Sequence, residues 1–206
     1  MASDSSFASG CGAVANHRSG STVAEVVQDV IRVRRTSLLV DPDASVPPAL
    51  IEALLESAVW APNHKRTWPW RFTVLTGSAR RRLGDELAVA AAEAGLPAGK
   101  VSKVRVKYQR SPVVILVWVA CDADSVRRRE DRDATAAAVQ NILLAATAHE
   151  LASFWATVPD VLAPAVRSFA GVDQTHELVA LVYLGWPAGE VPSPVRPGPE
   201  VTWLTE

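Results

Sequence analysis

The sequence predicts an α+β fold in which a small central sheet is wrapped by helices. Three observations carry this. Hydrophobic periodicity marks about six helical and four strand segments. Strands and helices mostly alternate, but each crossover uses more than one helix, which argues against a regular doubly wound sheet. No Gly-x-Gly-x-x-Gly follows a strand and no Walker-type loop is present, so neither device holds a nucleotide here.

Composition narrows the class. A chain of 206 residues, 49% of them hydrophobic, suits one large domain with a sizeable core. A net charge of −1 provides no global field toward nucleic acid or membrane. Cys11 and Cys121 make neither a disulfide framework nor a metal-ligand spacing, which fits a reducing cytoplasm. No apolar run nears the roughly 18 residues of a membrane span. Residues 1–20 are rich in Ser, Ala and Gly and lack an apolar signal region, so they read as a flexible tail, with the folded domain over residues 21–206.

The elements follow in order. Ser21 or Thr22 caps a helix whose Val23, Val26, Val27, Val30 and Ile31 share one face, ending near Arg34-Arg35. Asp41-Pro42-Asp43 is a loop. A second helix enters through Pro47-Pro48, carries Leu50, Ile51, Leu54, Leu55 and Ala58, and stops at Pro62. Arg71 to Thr76 is a strand. Ser78 to Ala94 is a helix ended by Gly95, and Val101 to Arg110 is another. The continuous apolar run Val113 to Val119 is a strand buried on both faces. The charged segment Arg127 to Asp133, a solvated mixed-charge helix start, leads into a long helix from Ala134 to His149. Ser153 to Thr157 is a short strand, Asp160 caps a helix through Phe169 that Gly171 ends, and Leu178 to Leu184 is the last strand. Beyond Pro187 the chain is Pro-rich and without period.

Two places could carry chemistry. Arg34-Arg35-Thr36-Ser37 sets two guanidiniums and two hydroxyls at one helix end, either a phosphate clamp or cations favouring a helix C-terminus. Ala61 to Phe72 places His64, Lys65, Arg66, Trp68 and Trp70 in a loop between rigid elements, either a binding loop or a connection with a cationic tip and Trp side chains turned into the core. His17, His149 and His176 have no spacing that makes a metal site with His64. There is no Gly-x-Ser-x-Gly elbow and no outstanding carboxylate pair, so hydrolysis has no evident machinery. A flat aromatic cofactor with a phosphate fits better, since Trp60, Trp68, Trp70 and Trp155 can wall a ring.

In this order, Arg34-Arg35-Thr36, Ala61-Pro62-Asn63-His64-Lys65 with Pro69-Trp70-Arg71-Phe72, Ser111-Pro112-Val113-Val114-Ile115, Phe154-Trp155-Ala156-Thr157 and Tyr183-Leu184-Gly185-Trp186-Pro187 resemble the nitroreductase family of FMN-dependent NAD(P)H oxidoreductases. The His-Lys loop is similar to that of its small, single-domain bacterial subgroup. The resemblance spans about Val23 to the C-terminus. It implies a mostly antiparallel central sheet and a C-terminal arm, about residues 188–206, exchanged in a homodimer with sites at the interface. It implies that Arg34, Arg35 and Thr36 hold the FMN phosphate and flavin edge. Trp60 and His64 would contact FMN, and Trp155, Ala156 and Thr157 would line the flavin from the other subunit's side. Arg196 in the arm would reach the phosphate. No side-chain catalyst is implied.

The resemblance implies electron transfer from NADH or NADPH to a nitroaromatic, quinone or activated alkene by a ping-pong mechanism, in the cytoplasm and without nucleic acid, membrane or metal. Two alternatives remain open: a flavin-dependent tailoring enzyme for one metabolite, and a flavin-binding protein with little turnover. Two departures bear on this. Leu38 stands where the family often has a cation near the flavin N1–O2 edge. Glu150 stands where it tends to have glycine, and so either faces a nicotinamide phosphate or only ends a helix.

Overall fold

The computed structural model describes residues 21–205. The expected tail, with Cys11 and His17, lies outside the described residues. Six helices and four strands follow in chain order: α1 (Val23–Val33), α2 (Pro48–Ala58), β1 (Trp70–Leu75), α3 (Ser78–Glu93), α4 (Ala98–Lys107), β2 (Val113–Ala120), α5 (Ser125–Ala148), β3 (Ala152–Ala156), α6 (Ala163–Ala170) and β4 (His176–Gly185). The strands form one sheet in the order β1–β2–β4–β3, with every neighbouring pair antiparallel. Among the described residues, no helix is long and apolar enough to cross a membrane.

β2 explains the architecture. Its alternate residues point to opposite faces, and both faces are covered. Val113, Ile115, Val117 and Val119 pack with Leu54 of α2 and Ile142 of α5. Val114, Leu116 and Trp118 pack with Leu83 and Leu87 of α3, Val104 of α4 and Val166 of α6. The sheet is thus the middle of three layers, and each large apolar side chain enclosed there contributes about 1.5–3 kcal/mol. Trp118 remains dry because its indole N–H donates to the Thr73 hydroxyl (3.1 Å).

Local signals set most boundaries. Thr22 caps α1 in a reciprocal box with Glu25. Asp124 caps α5 by accepting from the Val126 and Arg127 amides (2.8 and 3.1 Å). That cap starts α5 at Ser125, so the charged segment is the start of the helix, as read, and the helix begins nine residues before the expected Ala134. Before β2 the helix ends at Lys107, and Tyr108–Arg110 form a separate 3₁₀ turn. The helix expected from Asp160 begins only at Ala163, after a 3₁₀ turn over Asp160–Leu162. A helix begun at Asp160 would put Pro164 where its ring clashes with the Asp160 carbonyl.

α1 differs in burial. Its predicted apolar face exists, but none of its residues is buried, and Val23, Val27 and Ile31 are exposed. After Pro187, which bridges to Val40, the chain runs without helix or strand. Its Val195, Val201, Trp203 and Leu204 are also exposed.

Candidate functional site

The first helix ends at Arg34, and the chain turns into an extended stretch beside β3. Thr36 forms a parallel bridge with Ser153, and the Ser37 amide donates to the Ser153 carbonyl (2.9 Å). This brings the Arg34-Arg35-Thr36 clamp to the start of β3, which carries Trp155 and Ala156 and ends one residue before Thr157, short of the expected Ser153 to Thr157. The arm joins the same corner, where the Arg35 guanidinium donates to the Ser193 hydroxyl. Burial, and then the positive charges of Arg196 and Arg35, push the Arg34 pKa down. Among the described residues, no carboxylate lies within ion-pair distance of Arg34, Arg35 or Arg196. Two polar atoms at this corner, Arg35 Nε and Ser153 Oγ, are buried without a partner. The corner thus gathers positive charge with no counter-charge among the described residues.

The second predicted region is the loop before β1. Lys65, Arg66 and Trp68 all have positive φ (62°, 53° and 48°), although none is glycine. Each such residue costs about 1–3 kcal/mol and persists only where its surroundings over-determine it. The surroundings here are side chains. Asn63 accepts from the Trp68 amide (2.8 Å) and donates to Thr67 Oγ1 (3.0 Å), and the Thr67 hydroxyl donates to Asp131 of α5. His64 Nδ1 pairs with Glu130 one residue earlier on that helix (2.8 Å). Trp60 and Trp68 are exposed, 85% and 59%, while Trp70 is partly buried against the core and meets Trp68 edge to face.

Within one chain these regions lie apart. β1 begins at Trp70 opposite Val119, at one end of the sheet. β3 begins at Ala152 opposite Gly185, at the other end and on the other edge. Along α5, Glu130 beside His64 and Ala148 near β3 are separated by roughly 27 Å. Arg34, Arg35, Thr36, Arg196 and β3 therefore meet on one chain, so Trp155, Ala156 and Thr157 stand on the clamp's own side and not across from it as expected, whereas Trp60 and His64 do not join them. Trp155 is half-buried against the α2–α5 side, Ala156 packs toward the α3–α6 side, and Thr157, just past the end of β3, is exposed.

The two departures have structural places. Leu38 packs into the apolar cluster on the α3–α6 face. Glu150 is exposed and sits at φ 60° just beyond α5. Its amide donates to the Thr147 carbonyl (3.0 Å) and the Leu151 amide to that of Ala146 (2.8 Å), the pattern that ends a helix through a left-handed residue. Glycine is favoured there for its backbone freedom, so the helix-ending reading of Glu150 has a geometric basis.

Sequence reasoning missed Asn63, Thr67, Glu130, Asp131, Ser153 and Ser193. Asp131 and Glu130 looked like part of a solvated charge run. Only the fold shows that Asp131 faces inward, at 3% exposure. Among the described residues, no three His, Cys, Asp or Glu side chains gather into a group that could hold a metal ion.

A profile of the nitroreductase family matches residues 31–186. YdjA of Escherichia coli (strain K12), provisionally named an NAD(P)H nitroreductase, is 28% identical over 158 residues, 75% of this chain and 86% of YdjA. The structure of a nitroreductase-like family protein from Bacillus cereus superposes with a TM-score of 0.76 at 26% identity, covering 87% of this chain and 95% of that one. A provisionally named nitroreductase from Desulfovibrio desulfuricans, solved in complex with FMN, gives a TM-score of 0.63 at 28% identity and covers 83% and 91% of the two chains.

Proposed function

The chain belongs to the nitroreductase family, and from that premise we propose that it passes electrons from NADH or NADPH, through FMN, to an electron-poor acceptor such as a nitroaromatic, quinone or activated alkene. The observation that carries the reading is the arginine corner, whose charge and orphaned polar atoms fit the FMN phosphate. Arg34 and Arg196 supply the charge. Arg35 offers Nε while its other nitrogens hold the chain and the arm. Thr36 and Ser153 offer hydroxyls, and Trp155 and Ala156 of β3, with Thr157 just beyond it, continue from that corner. Bound FMN supplies a ring that accepts a hydride equivalent from the nicotinamide and returns it to the acceptor. Donor and acceptor then use one site in turn, which makes the kinetics ping-pong.

Trp60 and His64 reach the same flavin only from a second copy of the chain, because one chain holds them at the opposite end of its sheet. A homodimer with two shared sites accounts for this separation. It also covers the exposed Val23, Val27 and Ile31 of α1 and gives Trp203 and Leu204 of the arm a surface. Such an interface buries more than about 2,000 Å² and is largely apolar.

The test is a spectrum of the purified protein, followed by anaerobic titration with NADH and NADPH. A yellow protein that releases FMN on denaturation and bleaches with either donor is expected. A colourless protein that does not bind micromolar FMN overturns the reading. Sedimentation at low micromolar concentration should show only a dimer, and a stable monomer that keeps FMN refutes the shared site.

A further inference from the structure

We propose that Asp131 is a positioning residue: with Thr67 and Asn63 it locks the 63–68 loop in its left-handed form and so sets the aim of His64 at the cofactor. The inference rests on the functional reading above only for what the loop is aimed at.

Three observations carry it. The first is the backbone. Positive φ at Lys65, Arg66 and Trp68 is not the form these residues choose alone, so something must hold it. The second is the holder. Asp131 is nearly fully buried and its carboxylate accepts from the Thr67 hydroxyl, with the Asn63 amide nitrogen at 3.4 Å. No cation lies within ion-pair distance of it among the described residues. A buried carboxylate held only by neutral donors is costly to desolvate, so it is a poor way to gain stability alone. Its place on α5 is itself fixed, because α5 packs through Ala138, Val139 and Ile142 into the core.

The third observation is relay geometry. The Asn63 side chain accepts from the Trp68 amide through Oδ1 and donates to Thr67 and Asp131 through Nδ2. Glu130, adjacent to Asp131, takes His64 Nδ1. One turn of a rigid helix thus holds both the strained backbone and the imidazole. Among the described residues His64 Nε2 has no hydrogen-bond partner, and the Nδ1 bond directs the ring. Asp131 itself acts only through Thr67 and Asn63.

The experiment compares Thr67→Val, Thr67→Ser, Asp131→Ala and, as a stability control on the other face of the sheet, Val104→Ala. Two quantities are read in each: the Kd for added FMN and the hydrogen-exchange rate of the Trp68 amide. Thr67→Val and Asp131→Ala should each raise both by about tenfold or more, as expected when a hydrogen bond to a charged group is lost. Thr67→Ser keeps the hydroxyl and should stay within about threefold of wild type, whereas Val104→Ala should lower the melting temperature and leave both quantities near wild type. Unchanged exchange and affinity in Thr67→Val and Asp131→Ala overturn the proposal. So does faster exchange with unchanged FMN affinity, or a control that moves both readings equally. If wild type binds no FMN, the functional reading fails, and the exchange rates alone decide whether Asp131 holds the loop.

Discussion

The arginine corner and the strained loop are built on opposite plans. The corner has ordinary backbone but unfinished electrostatics: Arg34 is pressed by Arg35 and Arg196, and two buried polar atoms have no partner. The loop has strained backbone but finished hydrogen bonding, from Trp68 through Asn63 and Thr67 to Asp131. A region that must take up charge can leave its own polar groups waiting. A region that must present side chains in a fixed direction cannot, because conformational freedom would blur the direction. On the proposed reading the first awaits a ligand, whereas the second is closed by its own chain.

The largest expected effect is on the corner. Arg34→Ala should weaken FMN binding by about 1.5–3 kcal/mol, the range for a charge-assisted bond, measured by flavin fluorescence on titration. Lys65→Ala, which removes an exposed loop cation, should change it little. Equal losses would erase the distinction between a charged corner and a shaped loop.

Next in size are two glycine substitutions that probe backbone strain. Glu150→Gly should stabilise the protein by about 1 kcal/mol in denaturant unfolding, because glycine takes the left-handed C-terminal cap without steric cost. Lys65→Gly should gain about as much for the same reason. Glu150→Gly also has a kinetic arm: an unchanged ratio of flavin reduction by NADPH and NADH in stopped flow leaves Glu150 a capping residue, whereas a shift toward NADPH shows that its carboxylate also opposes the 2′-phosphate.

The smallest effect should sharpen the contrast most. Ser153→Ala removes a buried hydroxyl that has no partner among the described residues. The cofactor-free protein should be as stable as wild type or up to about 1 kcal/mol more so, since an unsatisfied polar group is lost. FMN affinity should fall at the same time. If stability and affinity fall together, the hydroxyl serves the fold and the corner is not waiting for a ligand.

Much of this was legible before any coordinates. Thr22 with Glu25 and the unbroken apolar run of β2 each announce an element through interactions within a few residues. The clamp and the loop were also visible as residue types in loops. What the residues do not state is distance. Thr36 and Ser153 meet through a backbone bridge between segments more than a hundred residues apart. Asp131 is hidden in the charge run Arg127 to Asp133, where its neighbours are solvated and it is not.

By itself the sequence determined the helices, the strands and the family resemblance, because caps, prolines and hydrophobic period act locally. Tertiary structure alone decided the rest: that Asp131 faces inward, that Arg34, Arg35 and Arg196 crowd one corner, that the apolar face of α1 finds no cover among the described residues, and that His64 lies far from the clamp. These follow from how helices pack on a sheet, and packing joins residues whose order along the chain carries no record of the contact.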